Sequence, residues 1–150
     1  MTILHTTSNS TEFKILAKLL DQELYKRYPD VQGDYDQYNE YAAPIDVLVI
    51  LIDGNPAACG AIKALNLNNW VEIKRIFVHP DYRGQGLSKT IITKLEEWAS
   101  QKGFDSTVLE TGVRMPEALA LYKKMGYQVV ENFGPYVGLP HSICMQKRLV

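Results

Sequence analysis

The segment best suited to chemistry is Arg83–Gly84–Gln85–Gly86, followed by Leu87–Ser88–Lys89. Two glycines stand in a turn between a β-branched run and an amphipathic helical pattern. The first-turn N–H groups of a helix have no intrahelical partner, and the helix dipole places partial positive charge beside them. Glycine lets the backbone approach an oxyanion without a Cβ in the way. Arg83 and Lys89 add mobile positive charge at the mouth. The expected chemistry is binding of a phosphate or diphosphate, although the same residues also suit a plain strand-to-helix turn. A nucleotide P-loop is set aside because Leu87, not Lys, follows Gly86. The dinucleotide fingerprint is set aside because Lys89 stands where a third small residue belongs.

A second region of interest runs from Tyr25 to Tyr41, where Asp30, Asp34, Asp36 and Glu40 alternate with Tyr28, Tyr35, Tyr38 and Tyr41. Acid among aromatics can hold a cationic amine through charge and cation–π contacts. The same composition suits a solvated loop whose tyrosines cap the core.

The elements that must position these residues are legible from periodicity. Ile3–Thr6 starts a short strand, and Ser10–Thr11–Glu12 opens a helix that carries Phe13, Leu16, Leu20 and Leu24 at helical spacing, with Pro29 stopping it. Asp46–Ile52 is a β-branched run ending in the hairpin signal Asp53–Gly54, with Ala57–Leu65 as the partner strand. Trp70–Val78 is a third strand. The helix after the glycine turn presents Leu87, Ile91, Leu95 and Trp98 and is capped by Gly103. Ser106–Glu110 is a strand, Pro116 opens a helix ending at Gly126, and Tyr127–Glu131 and Ser142–Leu149 are the last strands. The order predicts an α/β sandwich with a mixed sheet in one domain spanning 1–150.

Composition narrows the class. The 150 residues are 46% hydrophobic and 22% charged, with a formal net charge of -1. This balance lacks the basic excess of a nucleic-acid binder. No secretory leader and no bilayer-length apolar run are visible, so a cytoplasmic location away from membranes is expected. Cys59 and Cys144 form neither a disulfide framework nor a metal-ligand spacing, so no metal is expected.

Val71–Ile92 (VEIKRIFVHPDYRGQGLSKTII) resembles the acetyl-CoA-binding core of the GNAT superfamily of N-acetyltransferases. Arg83–Gly84–Gln85–Gly86–Leu87–Ser88 matches its Arg/Gln-x-x-Gly-x-Gly/Ala turn, with Ser88 replacing the final small residue. Glu117–Tyr127 (EALALYKKMGY) resembles the family's A-x-x-L-Y-x-x-x-G-F/Y helix. Arg114, Met115 and Pro116 depart from the Asn that many relatives carry near there. The resemblance spans Asp46–Gly126 and implies a GNAT-like, mostly antiparallel mixed sheet with helices on both faces.

It further implies that Ile76, Phe77 and Val78 bond the pantetheine arm. Amides from Gly84 through Gln85, Gly86, Leu87 and Ser88 to Lys89 would bond the pyrophosphate. A strand amide near Phe77 or Val78 would polarise the thioester carbonyl. Tyr122 falls where relatives return a proton to the departing thiolate, although its apolar helical stripe equally suits a core tyrosine. Glu72 falls where some relatives keep a general base, and Glu110 is the second candidate. Tyr35, Glu110 and Tyr136 are the expected acceptor-side residues, with Phe133 and His141 beside Tyr136. The implied activity is direct transfer of acetyl from acetyl-CoA to a primary amine, a small molecule rather than a protein. A non-catalytic acyl-CoA sensor of the same fold is the alternative, and a homodimer is left open.

Overall fold

The computed structural model describes residues 1–30 and 43–149. Its elements in chain order are β1 (Thr2–Thr7), α1 (Thr11–Arg27), β2 (Asp46–Ile52), β3 (Asn55–Ala64), β4 (Trp70–Val78), α2 (Leu87–Gln101), β5 (Ser106–Gly112), α3 (Pro116–Lys124), β6 (Gln128–Val130) and β7 (Ser142–Arg148). The strands form a seven-stranded sheet in the order β1-β2-β3-β4-β5-β7-β6. Every neighbouring pair is antiparallel except β4 and β5.

Local signals set the element ends. Ser10 caps α1 by accepting a hydrogen bond from Phe13 N at 3.1 Å, and the helix stops at Arg27, two residues before Pro29. Asp53 and Gly54, at φ 50° and 80°, make the two-residue turn between β2 and β3. Pro116 occupies the first turn of α3.

Alternation along the strands divides the core into two layers. Leu48, Ile50, Ile62, Val71 and Ile73 face α2 and α3, where Ile91, Ile92, Leu95 and Tyr122 meet them. Val47, Val49, Cys59, Ala61 and Phe77 face α1 and its Phe13, Leu16 and Leu20. Each aliphatic side chain fully removed from water contributes about 1.5–3 kcal/mol, so the α2 residues Ile91, Ile92 and Leu95 hold that helix firmly on the sheet. Gly60 permits the close approach. A Cβ there would lie 2.6 Å from Ile91 Cγ2 and 2.7 Å from Leu95 Cδ1.

Two irregularities in β4 shape the centre. First, Cys59 opposes Phe77 but Ala61 opposes Lys74, so Arg75 and Ile76 share the single position facing Gly60. Arg75 takes φ 59° in this bulge, a left-handed conformation costing about 1–2 kcal/mol for a residue with a Cβ. Its guanidinium is held by Ala17 O at 3.1 Å and Asp21 Oδ1 at 2.7 Å, and its carbonyl accepts from the Cys59 thiol. Second, β4 pairs with β5 only over Trp70–Glu72. Beyond that point the two strands part and leave an opening in the middle of the sheet.

Candidate active site

The opening between β4 and β5 holds a cavity of about 180 Å³. Leu20, Leu24 and Tyr28 of the α1 end wall one side, and Met115, Ala118 and Tyr122 wall the α3 side. Its floor carries Glu72, Lys74, Glu110 and Tyr136. Gly112 is needed at its rim, because a Cβ there would collide with the Tyr28 hydroxyl. That hydroxyl accepts a hydrogen bond from Arg114 N at 2.7 Å, which ties the end of α1 to the segment before α3.

Glu72 and Lys74 project from the same face of β4 and are buried, at 3% and 8% exposure. The Tyr136 hydroxyl donates to Glu72 Oε2 at 2.6 Å, and Lys74 Nζ donates to the same hydroxyl at 3.3 Å while standing 3.7 Å from Glu72 Oε2. Burial lowers the Lys74 pKa, and the field of Glu72 opposes that shift. Burial raises the Tyr136 pKa, and the adjacent Glu72 charge adds to it. The phenol therefore stays protonated and serves Glu72 as a fixed donor.

Glu110 of β5 is held differently. The neutral Ser142 hydroxyl of β7 donates to its Oε2 at 2.7 Å. Burial pushes the carboxyl up to about 7, with the Ser142 bond working against the shift and the charge of Glu72 adding to it. Tyr122 of α3 is buried, packs edge-on against Tyr127 with ring centroids 6.0 Å apart, and has its pKa pushed up to about 12 by burial. It feels the field of Glu110, so an acid and a potential base share one cavity.

The turn after β4 presents backbone rather than side chains. Gly84 and Gly86 take φ 83° and 75°, and the space where a Cβ would sit is open at both. Gly86 is the N-cap of α2, supplies no side-chain cap, and is followed by a first turn without acidic residues. The amides of Leu87, Ser88 and Lys89 thus begin a helix with neither a capping acceptor nor a repelling charge. On β4, His79 N bonds Ala57 O at 2.8 Å, so antiparallel alternation turns the Val78 N–H away from β3 and toward the opening, while the Val78 carbonyl accepts from Arg83 Nε. These features fit a coenzyme with a diphosphate and an amide-bearing arm.

Several expected residues fall elsewhere. Arg83 is not a mobile cation at the mouth: its Nε donates to Val78 O at 3.1 Å and its Nη2 to Glu23 Oε2 at 2.8 Å. Phe77 faces α1 within the second core layer, while Ile76 lines the cavity. Tyr136 and His141 line the cavity, whereas Phe133 stands behind Tyr136 in edge-on ring contact. Tyr35, with Asp34, Asp36, Tyr38, Glu40 and Tyr41, lies outside the described residues. Sequence reasoning missed Lys74 and Ser142. A usable signal existed for Lys74, since a charged pair at i and i+2 interrupts the apolar run of a central strand. Ser142 carried none, because its pairing with Glu110 depends on strand order.

The cavity lies beside β4 and the uncapped turn follows that strand's C-terminal end. The model of the acetyltransferase (GNAT) family matches residues 13–127, and the chain belongs to that family. It is an acyl-CoA-dependent N-acetyltransferase. Over 135 residues, covering 89% of this chain and 88% of the relative, it is 34% identical to an IAA acetyltransferase of Azospirillum brasilense. A candidate acyl-CoA N-acyltransferase from Klebsiella pneumoniae matches with TM-score 0.81 and 31% identity, over 99% of this chain and 97% of that one. A candidate streptothricin acetyltransferase from Bacillus anthracis, in complex with acetyl coenzyme A, matches with TM-score 0.61 and 27% identity, over 75% of this chain and 68% of the other. No described helix is long and apolar enough to cross a membrane. Among the described residues, no group of three His, Cys, Asp or Glu side chains is arranged to hold a metal.

Proposed function

We propose that this enzyme transfers acetyl from acetyl-CoA directly to the primary amine of a small molecule, with Glu110 as general base and Tyr122 as general acid. The carrying observation is Glu110, a carboxyl pushed up to about 7 in a small cavity that it shares with Tyr122. Acetyl-CoA, when bound, supplies an acetyl group activated as a thioester. The amides of Gly84 to Lys89 would hold its diphosphate, and Ile76 to Val78 its pantetheine arm. The Val78 amide is the favoured donor to the thioester oxygen.

An amine of lysine type enters protonated, with a pKa near 10. Glu110 takes the proton, the nitrogen forms its bond to the acetyl carbon, and the carbon–sulfur bond breaks. Tyr122, kept protonated by burial, gives its proton to the leaving sulfur. The nitrogen sheds its second proton as the intermediate resolves to the amide, that proton restores the Tyr122 phenol, and the Glu110 carboxyl returns its own proton to solvent. Glu72 is committed to Lys74 and Tyr136, and in this reading it holds them in place rather than acting as the base. A cavity of about 180 Å³ favours a small acceptor over a folded protein surface. A cytoplasmic setting agrees with this chemistry.

The test follows free thiol released from acetyl-CoA with a panel of amines, polyamines, amino acids and peptides. Amine-dependent release is expected. Tight acetyl-CoA binding without release for any acceptor would leave the sensor reading standing instead.

A further inference from the structure

The acceptor side of the cavity has an asymmetric charge account. Its cationic or imidazole lining consists of Lys74, Arg75 and His141. Lys74 stands 3.7 Å from Glu72, and the Arg75 guanidinium is 2.7 Å from Asp21 Oδ1. The field of His141 falls on Asp30, whose carboxylate also takes two bonds from Arg114. Lys63, in register beside Glu72, is exposed and outside the lining. Lys74 and Arg75, the two cations of the lining, are thus already paired with protein carboxylates.

The acids are not matched in the same way. Glu110 is held by a hydroxyl and feels the field of Lys74, but among the described residues no ion pair forms on it. Residues 31–42 contain Asp34, Asp36 and Glu40 but no Lys, Arg or His. Wherever that segment sits, it brings no cation to the site.

We infer that the acceptor is a cationic amine bearing no carboxylate, an inference that rests on the acetyl-transfer reading above for the identity of the site. A substrate ammonium gains Glu110 as a partner on entry. A substrate carboxylate would have to break an existing ion pair to find one, and a buried anion left without a partner is strongly disfavoured. Discrimination therefore comes from what the site lacks as much as from what it offers. Amines and their α-carboxylated counterparts separate on this basis, although they share the same reacting nitrogen.

Matched pairs test the inference: phenethylamine against phenylalanine, and cadaverine against lysine. Binding to the enzyme saturated with coenzyme A is read by calorimetry, and acetylation by thiol release. The amine of each pair is expected to bind at least about tenfold tighter, equal to about 1.4 kcal/mol, and Glu110→Gln is expected to shrink that ratio. Equal or tighter binding of the amino acids, or no binding of either member at millimolar concentration, overturns the inference. Amino acids acetylated as fast as their amines also overturn it, while leaving the transfer reading intact. Preferential amine binding without any acetylation supports the inference and removes the transfer reading.

Discussion

The turn at Gly84–Lys89 follows the C-terminal end of β4, the cluster around Glu72 and Glu110 sits where β4 parts from β5, and the two are built on opposite principles. The turn works through backbone. Its donors are amides at the start of α2, and its two glycines are the only side-chain requirement for φ of 83° and 75°. The cluster works through side chains. Glu72 and Lys74 come from β4, Glu110 from β5, Tyr136 from the loop before β7, and Ser142 from β7 itself. A backbone site places little demand on its side chains, so Ser88 in the last small position is compatible with the proposed cradle. A side-chain cluster depends on each member, because a buried partner left alone costs about 1–3 kcal/mol.

The sharpest way to break the comparison is Gly86→Trp. A bulky residue in the left-handed region, aimed into the phosphate space, should lower acetyl-CoA affinity by at least about 100-fold while leaving the Glu110 cluster folded. Calorimetry with acetyl-CoA checks it, and unchanged affinity would show that the turn is not the cradle.

Glu110→Gln addresses the other end. We expect kcat/KM to fall by roughly 100-fold or more, with acetyl-CoA affinity unchanged. The pH profile carries the sign. The base must be ionised, so wild-type kcat/KM should rise with pH through about 7, from the raised Glu110 pKa. The variant should keep only the limb near 10 that belongs to the amine.

Tyr122→Phe should lower kcat by roughly 10- to 100-fold without altering acetyl-CoA affinity, as loss of a proton donor does. A wild-type rate would remove Tyr122 from the chemistry. Tyr136→Phe should be milder: Glu72 loses a donor and Lys74 an acceptor, which should cost about 1–3 kcal/mol in chemical denaturation and raise the KM for the amine.

The smallest effect expected is that of Ser142→Ala. The Ser142 hydroxyl stabilises the ionised form of Glu110, so its removal should move the Glu110 limb to higher pH by under about one unit. A shift in the opposite direction would contradict the assigned geometry.

How much of this was legible beforehand follows the same division. The strands, the three α-helices and the Asp53–Gly54 turn were readable because each depends on near neighbours in the chain. The Arg83–Lys89 turn was readable for that reason too, but the fate of Arg83 was not. Its tether to Glu23 needs α1 beside the turn. The bulge at Arg75 also escaped notice, since an arginine in the left-handed region has no local signature and persists only because Asp21 and Ala17 hold it.

The sequence by itself determined where the glycine turn and helix start of the proposed cradle lie, because helix starts, glycines and strand periodicity are properties of short stretches. It also named Glu72, Glu110, Tyr122 and Tyr136 through motif and resemblance, without relating them to one another. Only the tertiary structure decided which acid is committed to an ion pair and which is not. Parting of β4 from β5 opens the cavity, and the order β5-β7 brings Ser142 to Glu110. The fold delivers Tyr136 and Lys74 to Glu72. Ser142 and Tyr136 stand tens of residues from the acids they bond, and the low dielectric that sets the proton affinities of the cluster exists only once the sheet and α1 have excluded water.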